Sequence, residues 1–239
     1  MLASSRLRTL LVAFTLAGAA GCASLDPGGA PGPAAPAPVF RVGDRWVYHG
    51  QDGFRAPLTW QETHEVVSVV AGEIVVRVTA RGSGIDVQRT ERWPDPGVVA
   101  AGSVFAFETR RFVPPLVRYR FPLVTGERWT QRVRDADALP GPYGPVERYT
   151  SVGGYERVQT PAGTFDAIRL RVLMRLDDET FWRTPTECNY LVWYAPSLGV
   201  SVREEREGEY REKSDAREPW STIRVQHAVL TLVSFTRGP

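Results

Sequence analysis

Along most of the chain, apolar and polar residues alternate one by one, the spacing expected of a β-strand with one buried face. In residues 167–177, Ile, Leu, Val, Met and Leu occupy every second position, and arginine fills half of the others. Residues 73–81 alternate in the same way, with isoleucine, valine and alanine on one side. Strands of this kind are typical of an antiparallel sheet that has one side in water.

Further strands are predicted where short apolar or β-branched runs end at glycine or proline. Beyond residue 21, no stretch of ten or more residues keeps the 3.6-residue period of an amphipathic helix. This pattern favours an all-β sandwich, barrel or curved sheet. The additional predicted strands are 45–49, 59–70, 86–93, 104–111, 117–121, 129–134, 150–157, 179–183, 189–194, 200–204 and 223–235.

Three sequence elements occur twice in the same order: a Gly-Asp/Glu-Arg-Trp strand entry, a hairpin around Ala-Gly, and a Trp-containing strand that ends in a Pro/Gly turn. We therefore predict two meander repeats, about 40–111 and 121–206, followed by a C-terminal strand extension. Together they would form one strongly curved antiparallel sheet, a half-barrel or open barrel; two small packed sheets are the alternative. The paired elements lie at 40–46 and 123–129, at 67–78 and 158–172, and at 92–99 and 192–200.

The first 21 residues have the pattern of a secretory signal peptide. A basic start precedes an apolar run over residues 10–20, which is too short to span a bilayer. Residues 16–22 resemble the lipobox of bacterial lipoproteins, although the usual leucine three positions before the cysteine is Ala19 here. The resemblance implies that Cys22 is the lipidation site and carries acyl chains such as palmitate. More than one acyl chain gives stable membrane anchoring.

Residues 22–38 are predicted to link this anchor to the folded domain. Five prolines, five alanines and three glycines between Ala23 and Pro38 are typical of an extended, semi-rigid tether. A single β domain is then expected from residue 39 to 239. Since alanine rather than aspartate follows Cys22, the lipoprotein resemblance implies an outer-membrane protein that faces the periplasm.

The charge balance argues against a polyanionic partner. The chain has 29 basic and 27 acidic residues, and loss of Arg6 and Arg8 with the signal leaves 27 of each. A mature protein without net charge shows no footprint for nucleic acid, so we predict a membrane partner through the lipid anchor and no nucleic-acid partner.

Two turn motifs resemble those of a known family. The segment 161–167 has the pattern Pro-Ala-Gly-x-Phe-x-Ala, and 193–200 has Trp-Tyr-x-Pro-x-x-Gly-Val. These motifs, with the Gly-Asp/Glu-Arg-Trp elements upstream, resemble a family of uncharacterised bacterial periplasmic proteins and lipoproteins. That family is similar to the half-barrel outer-membrane lipoprotein localisation factors. The resemblance implies a curved β fold and supplies no catalytic residue.

Candidate chemistry is sparse. The three histidines, His49, His64 and His227, have no cysteine or carboxylate at metal-ligand spacing, so we predict no metal site and no cofactor. Cys188 is expected to be a small buried residue beside a strand. No nucleophile–base motif, P-loop or dinucleotide fingerprint is present. The protein is therefore predicted to be non-enzymatic, with no catalytic residues.

Aromatic residues give the one indication of a ligand. Trp46, Trp129, Trp182 and Trp193 are candidate ligand-binding residues of a concave sheet face, which could hold an apolar envelope ligand, a lipid or an acylated protein. In the competing interpretation, aromatic side chains fill that face themselves. The alternative function is a structural or assembly lipoprotein. It would dock a protein partner through a sheet edge or through the charged segment 204–218, which we expect to be an exposed hairpin or loop.

Overall fold

Twelve β-strands form the framework of the chain in the computed structural model, which describes residues 28–53, 56–136, 144–213 and 221–239. The predicted signal peptide and Cys22 lie outside the described residues. The strands are β1 (Arg45–Asp52), β2 (Leu58–Val70), β3 (Glu73–Gly82), β4 (Ile85–Trp93), β5 (Val98–Gly102), β6 (Arg110–Val117), β7 (Arg128–Asp135), β8 (Val146–Thr160), β9 (Gly163–Leu176), β10 (Thr186–Ala195), β11 (Val200–Arg211) and β12 (Thr222–Thr236).

Each strand pairs antiparallel with its neighbours in the sequence, and β12 returns to pair with β1, so the sheet closes into a barrel. The prediction of an all-β, strongly curved antiparallel sheet is confirmed. Closure goes beyond the predicted half-barrel or open barrel, because the predicted C-terminal extension is the strand that completes the ring. The ring is weakest at two seams: β4 pairs with β5 at one position and β6 pairs with β7 at two.

Three of the predicted strands are wrong. Residues 104–109 and 118–121 are irregular, and β6 lies between them. The pattern was obscured because β6 contains Pro114 and Pro115, which cannot donate to a neighbouring strand. The predicted strand 179–183 is a connection in which Arg183 alone makes a bridge.

The charged segment beginning at Glu204 is also different from the expectation. Residues 204–211 are part of β11 and pair with β10 on one side and β12 on the other. They are therefore neither a hairpin tip nor a loop. The predicted strand 200–204 is the start of β11, and its continuation over 205–211 was missed because inward-facing charges break the apolar alternation on which the prediction depended.

The alternating apolar faces pack as predicted. On β9, Ile168, Leu170 and Leu176 are at most 1% exposed, and on β3, Val76 and Val78 are fully buried. The buried residues form a main cluster inside the barrel and a second cluster around Leu170 and Tyr194.

Two Gly-Asp/Glu-Arg-Trp turns lead into β1 and β7. Gly43 and Gly126 have φ angles of 90° and 89°, which a residue with a side chain rarely adopts. In each turn the acidic residue donates its N–H to the carbonyl three residues back, and the glycine donates across to the next strand. The donor–acceptor pairs are Asp44–Arg41 and Gly43–Val66 in the first turn, and Glu127–Val124 and Gly126–Val152 in the second. The internal repeat as a whole stays a prediction.

Residues 28–38, the described part of the predicted tether, lie on the barrel. Ala30 forms a bridge with Tyr155, and Ala35, which is 1% exposed, forms another with Leu123. The segment is extended, as proline and alanine dictate, but it is docked along this length. No helix that could span a bilayer occurs in the part of the chain that the structure describes.

Candidate functional site

A cavity of about 120 Å³ lies inside the barrel. Engineered cavities of roughly 150 Å³ hold a molecule such as benzene, so this space suits a small ligand or one end of a larger ligand. Its wall combines apolar and aromatic side chains with charged ones. The apolar and aromatic members include Phe40, Trp46, Trp93, Val99, Leu116, Val172, Met174, Val192 and Val200. The charged members are Glu62, Arg89, Glu91, Arg118, Arg148, Glu204 and Arg206, beside His64.

The charged side chains enter the cavity because residues two apart on a strand point to the same face. This spacing brings in Glu62 with His64 from β2, and Arg89 with Glu91 from β4. Strand β11 contributes Glu204 and Arg206 in the same way. The lining contains four arginines and three glutamates, which leaves one positive charge when His64 is neutral.

The first ionic group joins β2 to β4. Glu62 Oε1 lies 2.8 Å from His64 Nε2 and accepts from Arg89 Nη2 at 3.3 Å. Burial opposes ionisation of Glu62, but the hydrogen bond and charge of His64, with the charge of Arg89, hold its pKa well below the ordinary range. The carboxylate therefore stays ionised inside the barrel.

Glu91 is the centre of a second ionic group and is 1% exposed. Its Oε1 accepts from Arg89 Nε at 3.2 Å, and its Oε2 accepts from Trp93 Nε1 at 3.0 Å and from Arg118 Nη2 at 3.1 Å. Burial opposes ionisation, but the nearby Arg118 and Arg89 lower the pKa of Glu91 to about 2. The guanidinium of Arg118 lies 5.4 Å from the ring centre of Trp93.

The third group lies at β11. Arg206 Nε donates to Glu204 Oε2 at 2.8 Å, and Ser201 Oγ donates to Glu204 Oε1 at 2.6 Å. Tyr48 Oη donates to the Ser201 carbonyl at 2.8 Å, which fixes the tyrosine ring against this pair. Burial works against the charge of Arg206, but Glu204 raises its pKa above the ordinary value. Each charge of the pair is thus matched.

Arg148 is different from the other three arginines. It is 6% exposed, and its acceptor among the described residues is the Val117 carbonyl, 2.7 Å from Nη1. Among the described residues its contact is with this carbonyl and not with a carboxylate, and Glu204 acts on it only as a charge at longer range. Burial, reinforced by the like charge of Arg118, lowers the pKa of Arg148 to about 10. The positive charge left over in the cavity is therefore located here.

Two further polar atoms around the cavity are buried and have no hydrogen-bond partner among the described residues. They are Nη1 of Arg89 and Nδ1 of His64. Buried polar groups are normally hydrogen-bonded, so atoms of this kind mark places where a ligand or water completes the structure. Both residues line the same cavity as Arg148.

The four candidate tryptophans do not form one site. Trp46 lines the cavity, is 2% exposed and stacks on His64 with ring centres 5.2 Å apart. Trp129 is buried in the second core cluster. Trp193 is buried and donates its Nε1 to Glu156 at 2.7 Å.

Trp182 lies in the connection after β9 and is 41% exposed. Its ring packs edge-on against Tyr210, with centres 5.6 Å apart. A cavity site therefore includes Trp46 and also Trp93, but not Trp129, Trp182 or Trp193. Most of the predicted concave face is filled by the protein's own side chains.

The other chemical expectations concern metals and the thiol. Within the described ranges, no group of three or more His, Cys, Asp or Glu side chains is placed to hold a metal ion. Cys188 lies on β10, is 3% exposed, and has a pKa raised to about 12, chiefly by burial. A thiol in this state is not a nucleophile at neutral pH.

The charged lining was missed because charged positions on a strand are expected on the solvent-facing side of a sheet. The available signal was the spacing of opposite charges two residues apart, as in Arg89-Thr90-Glu91 and Glu204-Glu205-Arg206. Such pairs share one face of a strand. Only the closure of the barrel shows that this face is the inner one.

Comparison with known proteins gives limited information. No protein-family model and no curated protein matches the chain. A crystal structure of a "putative exported protein with YmcC-like fold" from Bacteroides fragilis is similar, at 15% identity and a TM-score of 0.48, over 86% of this chain and 100% of that one. A "putative lipoprotein" from Parabacteroides distasonis is similar at 14% identity and a TM-score of 0.46, over 82% and 96%. At these values, neither structure assigns a family or an activity to this chain.

Proposed function

We propose that the protein is a non-enzymatic, lipid-anchored protein of the bacterial envelope that binds a small ligand inside its β-barrel. The observation that carries the proposal is the cavity of about 120 Å³, whose wall combines aromatic rings with an incompletely paired set of charges. Ligand sites are typically concave and largely apolar, with a few polar groups that fix orientation. A scaffold with no ligand would gain more from an apolar, fully packed interior.

The pKa values support a binding role over a catalytic one. General acid–base catalysis works best with groups that titrate near the operating pH. In this cavity the pKa of Glu91 is about 2 and that of Arg148 about 10. These groups keep their charge at neutral pH, which suits binding and does not suit proton transfer.

The size and charge of the cavity narrow the predicted ligand. Pockets for drug-sized molecules are commonly 300–1,000 Å³, several times larger than this space. An entire acyl chain would also have to lie against ionised side chains. The proposed ligand is therefore a small amphipathic molecule, or the polar end of a longer one, with its apolar part against Trp46 and Trp93.

The envelope location rests on the sequence. The signal pattern over residues 1–21 and the lipobox-like segment before Cys22 support export and acylation. Ala23 after the cysteine supports the outer membrane, facing the periplasm. Replacing Cys22 with alanine should move the protein from the detergent phase to the aqueous phase, and unchanged partitioning would argue against the anchor.

Ligand binding can be tested by filling the cavity. Val172 and Leu173 are neighbours on β9, and they point to opposite faces: Val172 is 2% exposed and lines the cavity, whereas Leu173 is 36% exposed. The full-length protein, purified gently in detergent, would be examined by native mass spectrometry for small molecules that remain bound. We expect Val172→Phe to lose the bound molecule and Leu173→Phe to keep it.

The two phenylalanine variants control for each other because they add the same volume to the same strand. Circular dichroism must show that Val172→Phe is folded, since overpacking commonly costs about 1–3 kcal/mol. The proposal would be wrong if two results were both negative: no small molecule bound to the wild-type protein in this assay, and no binding in titrations with hexanoate and hexanamide.

The alternative function, an assembly lipoprotein that docks a protein partner, has less support from the structure than from the sequence. Because β1 and β12 pair with each other, they do not offer the predicted sheet edge. In the described part of segment 204–218, Glu204 and Arg206 point into the cavity and are unavailable to a protein partner. Crosslinking in cells would still distinguish the two functions, because an assembly protein should give one dominant protein adduct.

A further inference from the structure

The unmatched charge of Arg148 indicates what kind of ligand the barrel binds, and this inference rests on the proposed function. An isolated buried charge is strongly unfavourable unless it is paired or hydrogen-bonded. The other three arginines of the cavity each contact a glutamate within 3.3 Å. Arg148 donates to the Val117 carbonyl, and a guanidinium has five N–H groups to satisfy. The described residues leave most of its donors without an acceptor.

The surroundings of Arg148 favour a negative group. Arg118, whose charge acts on it, lines the same cavity and is paired to Glu91 through Nη2. Two guanidinium groups near one space repel each other unless an anion lies between them. Tyr119 also lines this space and interacts electrostatically with both arginines. The cavity wall thus holds Arg148 together with a second arginine and a tyrosine hydroxyl.

Charge and size select among anions. When His64 is neutral, the lining carries one excess positive charge, so a monoanion would neutralise it. A carboxylate accepts two parallel N–H bonds from a guanidinium, a geometry in which arginine is superior to lysine. Phe40, Trp46 and Leu116 supply an apolar wall for the rest of a small acid.

We propose that the cavity binds the carboxylate of a small amphipathic acid, with the carboxylate on Arg148 beside Arg118 and the apolar part against Trp46. The acid is either a free molecule or the end of a longer envelope molecule. In neither case does binding need a metal or a covalent step. Binding is a reversible ion pairing inside the barrel.

The test compares hexanoate with hexanamide, which has the same shape and no charge. Both would be titrated into the full-length protein in detergent by isothermal calorimetry at neutral pH. We expect hexanoate to bind at least tenfold more tightly than hexanamide. We also expect Arg148→Met to weaken hexanoate binding at least tenfold, with partial recovery in Arg148→Lys. Arg157→Met, an exposed arginine on the same strand, should leave binding unchanged.

The outcomes separate this inference from the proposed function. Equal binding of hexanamide and hexanoate would overturn the anion site and leave the cavity as a binding site. Binding of neither compound, with no co-purified molecule, would overturn both. Inorganic phosphate that displaces hexanoate from the wild-type protein and not from Arg148→Met would overturn the carboxylate class in favour of phosphate. The comparison of two ligands on wild-type protein needs no variant to fold.

Discussion

Two arginines in the same cavity have opposite environments. Arg206 is paired with Glu204 through Nε and Nη2, and this carboxylate raises its pKa above the ordinary value against the effect of burial. Arg148 is 6% exposed, has the Val117 carbonyl as its acceptor, and has a pKa lowered to about 10, first by burial. The residue type and the barrel are the same, and the Arg206 side chain is the more exposed of the two, at 22%. The two arginines also differ in their partners: Arg206 has a carboxylate, and Arg148 has a carbonyl.

The presence or absence of a carboxylate partner distinguishes an arginine that stabilises the fold from an arginine that binds a ligand. A buried ion pair that is already complete holds strands together and offers nothing to a ligand. A buried charge without a counter-ion destabilises the empty protein and is relieved when an anion arrives. Sites that lower stability in order to bind are common in proteins. The Arg206 region is therefore assigned to the framework and the Arg148 region to the ligand.

The largest predicted effect on stability comes from removing the carboxylate partner of Arg206, which leaves this arginine without a counter-ion, as Arg148 is. Glu204→Gln keeps the shape of the side chain and removes the counter-charge. Because it leaves a largely buried cation unpaired, we expect a loss of about 3 kcal/mol or more in the free energy of unfolding. Urea denaturation followed by tryptophan fluorescence measures this.

The matched variant for that experiment is Arg148→Met. It removes a charge that has no counter-ion and loses one hydrogen bond, so the expected change in unfolding free energy is within about 1 kcal/mol. A destabilisation of Arg148→Met as large as that of Glu204→Gln would show that both arginines belong to the framework.

The second prediction is that the free energy of unfolding decreases as the pH falls, because Glu91 becomes protonated. The ionised form of Glu91 is stabilised by Arg118 and Arg89, so its pKa falls from 4.5 to about 2. A group with a lowered folded-state pKa contributes stability above pH 4.5 and loses it as the pH falls toward 2, here about 3 kcal/mol. Urea unfolding at pH 7, 5, 4 and 3 should show this decline.

Two variants test whether the loss of stability in acid comes from protonation of Glu91. Glu91→Gln should be less stable at pH 7 and should show a shallower decrease below pH 5. Arg148→Met should decline as steeply as the wild-type protein, because no carboxylate pairs with Arg148. An equal slope in wild type and Glu91→Gln would contradict the assignment.

The fold was largely predictable from the sequence, and the reasons are local. Period-two alternation located β3 and β9, and glycine and proline placed the turns around them. Alternation failed at β6, where two adjacent prolines interrupt the strand, and in β11, where charges occupy both faces. Closure was not predictable because the pairing of β1 with β12 joins residues almost 200 positions apart.

The candidate site was less predictable than the fold. Trp46 was predicted to bind a ligand, on the argument that aromatic side chains line a concave face; it lies in the cavity wall, and its binding role stays a prediction. The charged lining was not selected, since an arginine on a strand is usually on the solvent side. Which arginine lacks a carboxylate partner depends on distances between side chains across the barrel. These distances cannot be read from the amino-acid composition or from the spacing of residues in the sequence.

The last and smallest effect on stability comes from giving Arg148 the partner that it lacks. Met174 on β9 is directly opposite Arg148 on β8, and both line the cavity. Side chains at such positions have Cβ atoms about 4.5–5.5 Å apart, so a glutamate at this position can reach the guanidinium. Met174→Glu should change the free energy of unfolding by less than about 1 kcal/mol, because the new charge is paired. It should abolish hexanoate binding, which calorimetry measures. In the control variant Met174→Gln, the new side chain has the size of glutamate and no charge, so this variant should still bind hexanoate. Loss of hexanoate binding in both variants would mean that the shape of the cavity, and not the unmatched charge of Arg148, determines which ligand the barrel binds.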